Sequence, residues 1–180
     1  MGTPYSHISI TDRQAVNIAS DLFGIKGVAV SFPGWIDFNF RIDSGGKSYL
    51  LKVSRPEADL EYLGFQNEIL QHVAESDTDI ESPVTLPDVH GNFISEFTDH
   101  KGNPRKVRML TWIDGRLWSS VNPVKDALLF SLGQQVGRIT KALQGFEHPL
   151  AERDFEWDLA RAGWTREFTH LFSNDKLEIV

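Results

Sequence analysis

Phe38, Phe40 and Ile42 alternate with Asn39, Arg41 and Asp43, Ser44-Gly45-Gly46 breaks the pattern, and Tyr49-Leu50-Leu51-Lys52-Val53 resumes it. Alternation with a period of two places one set of side chains on each face of a strand. Two adjacent glycines supply the backbone freedom of a tight hairpin. Val28-Ala29-Val30, just upstream, is a further β-compatible run. The segment from Val28 to Val53 is therefore predicted to be a three-stranded antiparallel meander turning at Gly45. Whatever else the chain does must be arranged around that sheet.

Helical patterns flank the meander. Thr11-Asp12-Arg13-Gln14 has the form of a capping box, Ala15, Ile18, Ala19 and Leu22 recur at helical spacing, and Gly24 ends the run. After the meander, Pro56 suits the first turn of a second helix. Leu60, Leu63, Asn67 and Leu70 form its stripe, which puts Glu68 on the helix close to the apolar face. Glu75 to Pro87 reads as a polar loop. Asn92 to Phe97 and Lys106 to Thr111 read as a hairpin turned at Lys101-Gly102-Asn103.

The second half reads as helical. Asn122 is placed to cap and Pro123 to start a helix whose stripe is Leu128, Leu132, Val136, Ile139 and Leu143. Trp157, Ala160, Trp164, Phe168 and Leu171 mark a last helical stretch, in which the aromatics are expected to pack as core. The composition shifts near Thr111 to Gly115, so the expected division is residues 1–111, a sheet-bearing lobe, and residues 112–180, the exit from it and an incomplete helical lobe. The predicted class is α+β: an N-terminal helix, a five-stranded antiparallel sheet with one helix between its third and fourth strands, and then helices.

Charge and cysteine usage narrow the partners. A formal charge of −7 argues against nucleic acid or an anionic membrane as partner. No apolar run approaches the ~18 residues of a membrane span, and the first residues lack the basic-then-apolar profile of a signal peptide. The absence of cysteine excludes disulfides and thiolate metal sites and suits a cytoplasmic protein. The six histidines show no ligand spacing, so no metal site is expected from these residues alone.

Lys52 stands out because a charged amine inside an apolar strand needs a partner. Glu68 follows sixteen positions later on the next helix. A strand lysine held by a helix glutamate is one way to present an amine to the α- and β-phosphates of a nucleotide. The alternative is a lysine stem lying along a sheet edge and a glutamate in solvent. Gly46-Lys47-Ser48 imitates the tail of a phosphate loop. That motif needs glycine five positions earlier, where Arg41 stands, and a helix next, where a strand is predicted.

The stretches Phe32-Pro33-Gly34-Trp35-Ile36-Asp37-Phe38-Asn39-Phe40, Tyr49-Leu50-Leu51-Lys52-Val53, Glu68, and Val107-Arg108-Met109-Leu110-Thr111-Trp112-Ile113-Asp114-Gly115-Arg116 resemble the aminoglycoside phosphotransferase family, in particular its hydroxylysine-kinase-like branch. Leu132-Gly133 through Phe146-His148-Pro149 and Phe155-Glu156-Trp157-Asp158-Leu159 fit it too, so the resemblance covers nearly the whole chain. It implies a protein-kinase-like fold and an ATP-dependent kinase of a small hydroxylated amine or amino acid, with Mg2+ accompanying the ATP. By position, Lys52 would bind phosphate with Glu68 as its partner. Ser31 to Asn39 would form the loop over the nucleotide, shaped by Asp37 and Asn39. Met109, Leu110, Thr111 and Trp112 would border the adenine.

The resemblance also implies a His-x-Asp catalytic loop and metal-binding Asn and Asp residues. None of His7, His72, His90, His100, His148 and His170 has Asp two positions on. The expectation is therefore that the catalytic residues and metal ligands lie beyond Val180, that no catalytic residue lies within this chain, and that the chain alone transfers no phosphate. A non-catalytic, nucleotide-binding or partner-dependent module is the alternative. Helices left uncovered in this way are expected to self-associate through Trp157, Trp164, Phe168 and Leu171.

Overall fold

The computed structural model describes residues 9–34, 37–152 and 158–171. The chain forms two compact units, Met1–Phe146 and Glu147–Val180.

The first unit opens with α1 (Asp12–Phe23), capped as its sequence requires. Thr11 accepts from the Gln14 backbone N–H while the Gln14 side chain accepts from the Thr11 backbone, and Gly24 closes the helix in the left-handed region at φ 67°. The meander follows as β1 (Val28–Phe32), β2 (Phe38–Ser44) and β3 (Lys47–Val53). Ser44 pairs with Lys47 across a two-residue turn in which Gly45 and Gly46 have φ of 57° and 80°. Both central residues of such a turn need positive φ, which glycine takes without strain.

The second helix, α2, spans Leu60–Glu75. It starts four residues later than Pro56 suggested, because Asp59 provides the cap by accepting from the Glu61 N–H. Within the expected polar loop, Thr85–Leu86 forms a two-residue strand, β4, too short to show alternation. The expected hairpin is β5 (Ser95–Thr98) and β6 (Pro104–Thr111). The five expected strands thus become six, all antiparallel, in the order β1-β2-β3-β6-β4, with β5 also on β6.

Two faces of this sheet have different fates. Phe40, Ile42, Leu51, Val53, Val107 and Met109 point to one side and pack with Ile10, Ala15, Ile18 and Ala19 of the α1 segment, forming the core. Asn39, Arg41, Leu50, Lys52, Arg108 and Leu110, at the intervening positions, point to the other side. A buried ion pair completes the core side. Arg105 donates to Asp99 at 2.8 Å and to the Ser54 carbonyl at 3.3 Å, and lies 6.0 Å from the Phe38 ring centre.

The third helix, α3, spans Asp126–Ala142. It begins after Lys125 rather than at Pro123, whose bond to Asn122 is cis. Leu132, Val136 and Ile139 of its apolar stripe are exposed. In the second unit a 3₁₀-type helical segment spans Leu159–Leu171, and Trp164, Phe168 and Leu171 are exposed rather than core. The Trp164 and Phe168 rings meet edge to face, and Trp157 lies outside the described residues. Among the described residues no helix is long and apolar enough to cross a membrane.

Candidate functional site

The side of the sheet away from the core carries the candidate site. Lys52 on β3 lies opposite Asn39 on β2, so both side chains rise from the same face. The Lys52 amine donates to the Asn39 side-chain oxygen at 3.0 Å and forms an ion pair with Asp37 at 3.1 Å. About a fifth of each charged side chain is exposed, 23% for Lys52 and 17% for Asp37. Such a pair is sheltered enough to hold a geometry and open enough to meet a ligand. The Asn39 amide in turn donates to the Asp37 carbonyl at 3.4 Å.

Gly34 makes this arrangement sterically possible. A Cβ there would collide with the Asn39 amide and the Asp37 carbonyl. Asp37 and Asn39 can approach Gly34 as they do only because residue 34 has no side chain.

The expected pairing of Lys52 with Glu68 is corrected by these contacts. Its carboxylate partner is Asp37, from the loop between β1 and β2. The reason lies on α2, whose inward positions are taken by a different cation. Arg108 donates to the Leu63 carbonyl at 3.4 Å, to Asn67 at 3.0 Å and to Gln66 at 2.8 Å. Glu68 is exposed and lines a cleft with Gly64, Asn67, Gln71, Thr85 and the segment Gly91–Ile94.

An apolar strip lies beside the charged cluster. Val30 and Phe32 of β1 face the same way as Arg41, Leu50 and Leu110 and are 49% and 37% exposed, so the strip remains accessible. The Phe32 and Trp112 rings meet edge to face, with centres 5.8 Å apart, and the Arg41 guanidinium lies 5.7 Å from the Trp112 ring centre. The Trp112 indole donates to Asp114 at 3.1 Å. A flat aromatic group would find aromatic edges here and the Lys52 amine at the far end of the strip.

Of the residues read from sequence, Lys52, Asp37 and Asn39 come together, and Leu110 and Trp112 share their face. The others lie elsewhere. Ser31 projects to the opposite face, and its backbone N–H donates to Asp12 at 3.1 Å. Met109 is fully buried in the core. The Thr111 backbone N–H donates to the Val84 carbonyl and its hydroxyl accepts from the Val84 N–H, both at 2.9 Å, which fastens the end of β6 to β4. Sequence reasoning missed Arg108 and Arg41 as site residues, and it placed Phe32 and Gly34 in the loop over the nucleotide without giving either a role. Arg108 carried the same signature as Lys52, a cation inside an apolar strand.

The sequence pattern of the phosphotransferase enzyme family matches residues 29–178. A curated relative, hydroxylysine kinase of Bos taurus, is 24% identical over 189 aligned positions, which cover 96% of this chain and 50% of the relative. The chain thus spans about half the length of the curated relative it matches. An amicoumacin kinase solved in complex with AMP-PNP, Ca2+ and Ami superposes with a TM-score of 0.64 at 13% identity, covering 93% of this chain and 49% of that one. A microcompartment-associated aminopropanol kinase superposes with a TM-score of 0.62 at 16% identity, covering 82% of this chain and 45% of that one. These likenesses show that the fold is the N-terminal part of the kinase-like fold.

Proposed function

This chain belongs to the phosphotransferase enzyme family, of the aminoglycoside phosphotransferase type, and from that membership we propose that it is the ATP-binding part of a small-molecule kinase. The observation that carries the reading is the amine of Lys52, held by Asp37 and Asn39 at the end of an accessible apolar strip. The strip, with Val30, Phe32, Leu110 and Trp112, takes the base. Lys52 takes the α- and β-phosphates. Asn39 keeps the amine aimed when Asp37 yields to the phosphates. In this reading residues 1–111 form the nucleotide lobe and residues 112–180 lead out of it.

Bound nucleotide would bring Mg2+, which supplies charge neutralisation to the transferring phosphate. Among the described residues no group of three His, Asp or Glu side chains is placed to hold a metal ion. The protein ligands of that ion, and the base that takes the acceptor's proton, belong in this reading to the part of the relative's length that this chain does not span. The acceptor is a small hydroxylated amine, by likeness to relatives named for hydroxylysine and aminopropanol.

Calorimetric titration of the 180-residue chain with ADP tests the reading. We expect binding that Lys52→Ala weakens about tenfold, the order of one charge-assisted contact, with an unchanged melting temperature. Equal affinity in the variant would remove Lys52 from the site. Incubation with Mg-ATP and hydroxylysine or aminopropanol is expected to yield no phosphorylated amine. Enzyme-dependent turnover would refute the assignment of catalysis to residues beyond this chain.

A further inference from the structure

Arg108 stands directly opposite Lys52 in the pairing of β3 with β6. Two cations at such a position share one face of the sheet and repel. Arg108 is 2% exposed, yet every hydrogen bond it makes is to a neutral group: the Leu63 carbonyl, the Asn67 side-chain oxygen and the Gln66 side-chain oxygen. Among the described residues its Nε has no hydrogen-bond partner. Burial of a guanidinium is costly when no anion accompanies it. Burial accordingly holds its pKa below the ordinary value, against the opposing pull of Asp37.

Among the described residues Arg108 thus has no ion-pair carboxylate of its own, while its neighbour Lys52 has Asp37. Asp37 is in contact with Lys52, and Asp37 and Tyr62 both favour the charged form of Arg108 against its burial. Asp37 also lines a cleft of about 260 Å³ with Leu63 and Gln66, which hold Arg108, and with the charged side chains Arg55, Glu57 and Asp59. Lys52 and Arg108 thus stand side by side as two cations, and Asp37 is the carboxylate in contact with Lys52.

We propose that Arg108 is a positioning residue of the phosphate subsite, acting through Asp37. Too buried to touch a ligand, it supplies a fixed positive charge behind Lys52. When phosphates arrive at Lys52, Asp37 turns toward Arg108 and its unpartnered Nε, and Lys52 is released to the phosphates. The inference rests on the nucleotide reading above and deepens it, because it names what replaces the helix glutamate.

The discriminating quantity is the preference for ADP over adenosine. A structural role for Arg108 would change both affinities together, whereas a role in the phosphate subsite changes only that of ADP. Titration of wild type, Arg108→Met and Arg108→Lys with both ligands is the experiment. Arg108→Met should lower the preference about fivefold, the order of one unit charge acting at close range in a half-buried site. Arg108→Lys, which keeps the charge without the fork, should recover at least half of that loss on a logarithmic scale. If Arg108→Met does not fold, the lysine variant decides alone, and loss of its preference overturns the proposal. A preference unchanged in Arg108→Met, with ADP binding still lost in Lys52→Ala, overturns this inference and leaves the nucleotide reading standing. Absence of ADP binding by the wild-type chain overturns both.

Discussion

Arg105 and Arg108 lie three residues apart on β6, both almost fully buried, on opposite faces of one sheet. Arg105, on the core face, has its own carboxylate. Asp99 meets it at 2.8 Å and also accepts the backbone N–H groups of Lys101 and Asn103. Arg108, on the other face, is held by amides and a carbonyl, while Asp37 is paired with Lys52 beside it. The same side chain at the same burial thus stands in a closed charge system on one side and an open one on the other. A closed pair stabilises structure and binds nothing. An open pair carries a cost that an anionic ligand can offset.

The sharpest way to break this contrast is to open the closed pair. Asp99→Ala should lower stability by about 3 kcal/mol, because it leaves Arg105 buried without its counter-charge. Chemical denaturation would read it. A loss as small as that of a surface substitution would mean that Arg105 finds another partner and that the two arginines are not different in kind. Acid tests the same pair without mutation. Burial works against the ionised form of Asp99, but the Asn103 N–H, the Arg105 guanidinium and the Lys101 N–H hold its pKa well below the ordinary carboxylate range. Asp88 is held at about 2, first by the Asn92 backbone N–H. Both groups have a lower pKa folded than unfolded, so their stabilisation is complete above the unfolded value near 4 and is lost as pH falls through the folded value. The melting temperature should be level from neutrality to about pH 5 and fall below about pH 4. In Asp99→Ala that fall should be shallower.

Gly34→Ala sharpens the contrast from the open side. A methyl group there would strike the Asn39 amide and the Asp37 carbonyl, so the two residues that hold Lys52 must shift. Since Gly34 is exposed and outside the core, stability should change little while ADP affinity falls about threefold to tenfold, in the range of small overpacking strains. Unchanged ADP affinity would mean that the hold of Asp37 and Asn39 on Lys52 plays no part in binding.

The two faces also differed in how legible they were in the sequence. The core face was readable because apolar alternation, capping and the Gly45-Gly46 turn are local rules. Phe40, Ile42, Leu51 and Val53 are buried where a period of two puts them. The strand β4 was not readable, because two residues carry no period. On the open face, Lys52 was legible as a cation out of place. Its partner was not, because a helix offers several polar residues and the sequence does not fix which of them faces the sheet. The choice of Glu68 followed spacing. The position was decided by Arg108, whose fork fits the Leu63 carbonyl and the side chains of Gln66 and Asn67, three groups gathered along one side of α2. The same out-of-place reasoning applied to β6 would have singled out Arg108.

The smallest expected effect is therefore informative. Glu68 is exposed and lines a cleft with Gln71 and the Gly91–Ile94 segment. Neutralising it in Glu68→Gln removes one surface charge, and surface charges of that kind contribute about 0–1 kcal/mol. ADP affinity should stay within about twofold of wild type, and the direction should be toward tighter binding, because an anion has been removed from the neighbourhood of a polyphosphate. A loss of tenfold or more would require α2 to turn so that Glu68 reaches Lys52 when nucleotide is present. That turn would pull Gln66 and Asn67 away from Arg108, so it would also erase the effect expected of Arg108→Met. The two variants measured together thus decide whether Arg108 acts behind Lys52 when nucleotide is bound, or whether α2 turns to bring Glu68 there instead.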